Sequence, residues 1–152
     1  MGAIVILKLY TERERLAFWQ EWLHPYAVQV QAPIGFNFVR ELLGQDLLKD
    51  WTIHGRTTWQ GDHYQITVRN DLAPENERFT VAHELAHVLL HHVPRVETSP
   101  ALQNIQNANY AKWTQGKTSA IVTAQTNERE RSADALAHKL IKEWEKLGVR
   151  AE

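Results

Sequence analysis

The sequence predicts an α+β fold, and three stretches predict it. Residues 64–69 alternate Tyr64, Ile66 and Val68 with Gln65, Thr67 and Arg69, the two-residue period of a strand with one buried face. Residues 74–92 and 128–147 repeat their apolar side chains at the helical interval instead. With 152 residues the chain is long enough to bury a core without disulfides or a structural metal, and we expect one domain over 1–152. A net charge of −1 gives no electrostatic footprint for DNA or RNA, so nucleic acid is not the expected partner. There are no cysteines, which excludes thiolate nucleophiles and cysteine zinc ribbons and fits a reducing compartment. The apolar run at residues 3–7 is too short for a signal segment, so a soluble cytoplasmic protein, off the membrane, is expected.

Taken in order, residues 4–9 are β-branched and apolar, and either a strand or a helix lead-in satisfies them. Thr11-Glu-Arg-Glu14 has the spacing of a capping box, and Leu16, Trp19, Trp22 and Leu23 then mark a helix that Pro25 should stop. Aromatics at this spacing are read as core rather than as a ligand-stacking box. Residues 26–30 are expected to be extended. A second helix is expected over 38–49, so that 1–50 form a mainly helical N-terminal part. Residues 51–59 and 64–69, joined by Gln60-Gly61-Asp62-His63, read as a hairpin, and the isolated His54 and His63 as ordinary surface histidines. The next helix should start at Pro74 or Glu75 and run to about His92, with Pro94 closing it. Residues 95–126 are polar and form a long excursion, either a cleft wall with a short helix at 101–113 or an insertion without a role. The final helix is expected over 128–147, ended by Gly148.

The middle helix carries the chemistry. His83-Glu84-Leu-Ala-His87 sets two imidazoles four residues apart on one side of a helix, where both reach a single Zn²⁺ while Glu84 faces the water beside it. His83, Glu84, His87 and His91 fall within about a hundred-degree arc, opposite Val81, Leu85, Val88 and Leu89. A catalytic zinc needs a third protein ligand. A third histidine ten residues after the first would complete one common class, but that position is Val93, and Leu90 stands where that class needs glycine. On the last helix Glu130 projects toward the apolar stripe and Glu128 away from it, which makes Glu130 the candidate ligand. The competing reading has Asn127 as N-cap and Glu130 as its capping-box partner. Asp134, one turn on, is placed to hold the ring N–H of a ligating histidine.

Ile66-Thr-Val-Arg-Asn70, then Glu77-Arg-Phe-Thr-Val-Ala-His-Glu-Leu-Ala-His-Val-Leu-Leu-His91, then Glu130-x-x-Ala133-Asp134-x-Leu136-Ala137 resemble the ImmA/IrrE family of zinc metallopeptidases over about residues 63–141. The resemblance implies a zincin-like fold, in which a small, mostly antiparallel sheet packs against the metal helix and a second ligand-bearing helix. It implies Zn²⁺ on His83, His87 and Glu130, with Glu84 as catalytic base. It further implies hydrolysis of a peptide bond in a protein substrate, expected to be a separate repressor-like transcription factor in a stress response. His91 and Tyr110 are candidates to stabilise the oxyanion or contact substrate. Ala86 replaces the family's usual glycine, and Leu136-Ala-His-Lys-Leu-Ile-Lys-Glu143 lacks its usual proline. Two other readings stand beside this one: a zinc-bearing regulatory or antitoxin-like protein that binds without cutting, and a general peptidase for short peptides.

Overall fold

A computed structural model of the chain describes residues 4–42, 54–93, 95 and 119–152. It is α+β, with three helices and two small sheets among the described residues. A short strand β1 (Val5–Ile6) runs into a 3-10 turn (Leu7–Leu9), so the ambiguous first stretch is partly strand and partly tight turn. Helix α1 (Glu12–Val30) starts at the expected capping box: Glu14 N–H donates to Thr11 Oγ1 at 3.2 Å and Thr11 N–H to Glu14 Oε1 at 3.0 Å.

Pro25 does not stop this helix, which continues to Val30. Proline removes one backbone bond there, but Trp19 and Leu23 are fully buried on the preceding turns and hold α1 to the core regardless. Residues 26–30 are therefore helical, not extended. The helix ends where Gln31 adopts the left-handed conformation at φ 59°, and Ala32 N–H reaches back to Ala27 O at 3.1 Å.

Strand β2 (Ile34–Val39) takes Phe38 and Val39, the first residues of the helix expected over 38–49; the remainder of that stretch beyond Leu42 lies outside the described residues. Strands β3 (Gly55–Trp59) and β4 (Tyr64–Arg69) form the expected hairpin. The sheet order is β2-β4-β3, with β2 parallel to β4 and β3 antiparallel to it. The sheet is thus mixed rather than mostly antiparallel. A hairpin offers two edges, and β2 takes the β4 edge in the register Phe36↔Ile66 that stacks apolar residues on one face. Phe36, Ile66 and Val68 line that face, while Asn37, Gln65 and Thr67 share hydrogen bonds of 2.7 and 2.8 Å on the other.

Helix α2 (Pro74–Leu89) lies across the apolar face, with Pro74 at its first turn where a missing N–H costs nothing. Helix α3 (Ser119–Lys146) packs along α2, and Val149 then enters strand β5 (Val149–Arg150), parallel to β1. α3 begins earlier than the expected residue 128. Its extra length takes in part of the stretch read as an excursion; residues 96–118, with the short helix expected at 101–113, lie outside the described residues. The core joins all three helices and the sheet through Trp19, Leu23, Phe36, Ile66, Val81, Leu85, Ala137 and Trp144. A largely buried ion pair fastens α1 to α2. Glu77, 1% exposed, accepts from Arg15 Nε at 2.9 and 3.1 Å and from Trp19 Nε1 at 3.2 Å. Among the described residues no helix is long and apolar enough to cross a membrane.

Candidate metal centre

The 3.6-residue repeat of α2 puts Val81, Leu85 and Val88 into the core and leaves His83 and His87 on the side that α3 covers. Their Nε2 atoms stand 3.1 Å apart. From α3 the Glu130 carboxylate comes between them, Oε2 lying 2.9 Å from His83 Nε2 and Oε1 3.3 Å from His87 Nε2. Asn127 is inside α3 and cannot be an N-cap, so the capping account of Glu130 falls. Glu128 points elsewhere, 3.9 Å from Arg131 on the exposed side.

These distances test the fit of a metal. Ligands about 2.0–2.1 Å from one tetrahedral ion stand about 3.3–3.4 Å from one another. The separations of 2.9, 3.1 and 3.3 Å, measured to one Glu130 oxygen from each histidine and between the two imidazoles, bring the three groups close enough to share a single ion. His83, Glu84 and His87 also form a group close enough to hold an ion by themselves, but Glu84 and Glu130 have different surroundings. Glu84 is 8% exposed and hydrogen-bonded into the protein, whereas Glu130 stands at the mouth with its side chain 51% exposed. Two neutral imidazoles and one carboxylate are a donor set that suits zinc.

The rest of the site comes from packing. Strand β3 passes so near α2 that a Cβ on Gly55 would lie 2.6 Å from Thr80 Cγ2 and 3.3 Å from Glu84 Cγ, which is why glycine stands there. Two residues on, with its side chain on the same face, Thr57 donates its hydroxyl to Glu84 Oε1 at 2.9 Å and lies 3.3 Å from Glu84 O. Burial pushes the Glu84 carboxyl above its ordinary value, a shift that the Glu130 charge reinforces and that Thr57 and His83 oppose. Burial, aided by neighbouring His83, lowers His87, which favours the neutral ring a metal requires.

Asp134 Oδ1 lies 2.7 Å from His83 Nδ1, on the far side of that ring from Glu130. His91 does not share the helical arc of His83 and His87. α2 stops at Leu89, and His91 sits beyond it in the left-handed conformation at φ 58°, exposed, so the helical arc does not extend to it. Its neighbour His92 turns inward instead, Nδ1 lying 3.0 Å from His87 Nδ1. Burial and the Arg129 charge lower His92 as well. Tyr110 lies outside the described residues. Sequence reasoning missed Thr57, Gly55 and His92. The phase of β3, with Gly55, Thr57 and Trp59 on one face, was the only available sign of the first two.

A family model for the IrrE N-terminal-like domain matches residues 45–141, a span that holds His83, Glu84, His87, Glu130 and Asp134. No curated protein and no solved structure matches the chain.

Proposed function

Because the chain belongs to the IrrE N-terminal-like peptidase family, we propose that it is a zinc-dependent endopeptidase whose substrate is a separate, repressor-like regulatory protein. The observation that carries the reading is the meeting of His83 Nε2, His87 Nε2 and the Glu130 carboxylate within 3.3 Å, beside a buried Glu84. His83, His87 and Glu130 would hold the ion. When bound, zinc supplies a Lewis acid that acidifies a water and polarises the scissile carbonyl.

The chain's own residues supply the proton traffic. Thr57 orients the Glu84 carboxylate by donating to Oε1, and that carboxylate takes a proton from the attacking water. The protonated Glu84 then passes that proton to the departing amine as the C–N bond breaks. Burial eases its brief protonation, because the neutral carboxyl is the form a dry environment prefers. Asp134 keeps the His83 proton on Nδ1 and so leaves the Nε2 lone pair for the ion.

Cleavage and choice of substrate are tested together. Extract of the source cells is incubated with zinc-loaded wild type or Glu84→Gln, and new protein N-termini are labelled and sequenced. The expected result is one or a few new termini, in a DNA-binding regulator, from wild type only. Glu84→Gln should retain zinc and lose activity by a factor of about 10² to 10⁴. Cleavage by Glu84→Gln at the wild-type rate would sink the mechanism. Capture of a partner without new termini would make this a metal-bearing binding protein, and many unrelated termini a general peptidase.

A further inference from the structure

The two histidines of α2 are backed by different groups. His83 presents Nδ1 to the Asp134 carboxylate at 2.7 Å, the usual device for a ligating imidazole. His87 Nδ1 meets no carboxylate among the described residues; its partner is the His92 ring, with Nδ1 at 3.0 Å and centroids 5.2 Å apart. Two ring nitrogens at that separation share one proton, so one donates and the other accepts. With His87 Nε2 turned toward His83 and Glu130, the His87 proton belongs on Nδ1. His92 must then be the acceptor, with its own proton on Nε2.

The backbone builds this contact. His92 N–H bonds to His87 O at 2.9 Å and His91 N–H to Val88 O at 3.1 Å, with His91 left-handed between them. This is a Schellman turn with histidine where glycine is usual. Were the helix to continue, a residue five places on would lie about 140° round the axis from His87. The turn folds His92 back alongside it.

We infer that His92 is a positioning residue, whose Nδ1 lone pair accepts the His87 Nδ1 proton and so fixes the tautomer and ring rotation that present His87 Nε2 to a metal. The inference rests on the peptidase reading of the site. It assigns the two ligands unlike supports: an anion behind His83, and a neutral ring behind His87 that orients it without adding negative charge.

The test is zinc affinity of the full chain, measured by competition with a chromophoric chelator, with the visible spectrum of the Co²⁺-substituted protein as a second readout. His92→Phe keeps a ring beside His87 and deletes the acceptor; it should bind zinc about 10- to 100-fold more weakly than wild type and shift the Co²⁺ bands. In His92→Asn the amide oxygen falls near the place of Nδ1, so affinity should return to within roughly threefold of wild type. His92→Gln, whose oxygen falls nearer the place of Nε2, should remain as weak as the phenylalanine variant. Wild-type affinity in His92→Phe overturns the inference, as does a His92→Asn no better than His92→Gln. If the phenylalanine variant does not fold, the asparagine and glutamine pair still decides, since it asks only where the acceptor stands. His87→Ala separates the two levels: it should lose zinc, and a wild type without zinc or a His87→Ala with unchanged affinity defeats the peptidase reading itself.

Discussion

Thr57 and His91 show how differently two side chains near one centre can matter. The Thr57 hydroxyl, 2.9 Å from Glu84 Oε1, fixes the orientation of the carboxylate proposed as the base. A hydrogen bond to a charged group is worth about 1.5–3 kcal/mol. Thr57→Val, which keeps the shape, should lower kcat about 10- to 100-fold with KM and zinc content little changed, and Thr57→Ser should restore it. Steady-state kinetics on the cleaved substrate provide the check; an unchanged kcat would make the contact incidental. His91 is predicted to be dispensable. It holds a left-handed φ of 58°, a conformation glycine adopts without strain. His91→Gly should therefore gain up to about 1 kcal/mol, read as a melting point roughly 2–4 °C higher, with zinc binding intact. Loss of zinc or of activity would show that the imidazole is used. The legibility of these residues follows from locality. His83, Glu84 and His87 share one helix, so their spacing alone placed them, a helical wheel aimed Glu130, and Asp134 follows one turn on. Thr57 depends on how β3 crosses α2, and His92 on a left-handed turn that no glycine announces, so neither was visible.

Elements were legible where one period ruled them and obscure where packing overrode the local signal. The hairpin, α2 and the capping box of α1 were of the first kind. Pro25 was of the second: the proline says stop, but buried Trp19 and Leu23 and the Arg15–Glu77 pair bind α1 to the core on the turns before it. The partner of an edge strand was equally hidden, since either edge of the β3–β4 hairpin satisfied the alternation and the choice of β4 by β2 was made across the chain. The ion pair between α1 and α2 gives a prediction of its own. Arg15→Ala leaves the buried Glu77 charge without its cation, with only Trp19 Nε1 still donating to it, and should cost about 3–5 kcal/mol. The double replacement Arg15→Met with Glu77→Gln removes both charges and should cost much less. Denaturant unfolding of the two proteins measures the difference, and equal losses would mean that packing of the arginine stem, not charge, joins the helices.

At the scale of the whole molecule, the α+β class was readable from the two periodicities, while the mixed sheet was not, because it is set by contacts between distant segments. A metal held by α2 and α3 together should stabilise the folded chain by linkage. At a free zinc concentration about a thousand times Kd the gain is about 4 kcal/mol, or roughly 8–16 °C in melting temperature. Stripping zinc with a chelator should reverse the shift in wild type, and Glu130→Ala should show little of it; an equal shift in both would remove α3 from the site. The division of the site between these helices also orders events in biosynthesis. His83 and Glu84 leave the ribosome well before Glu130 does, and the carboxylate reaches them only after α3 has docked. A nascent chain thus carries Glu84 and two imidazoles before Glu130 can join them, so on the peptidase reading the centre is completed only once α3 has been made and docked.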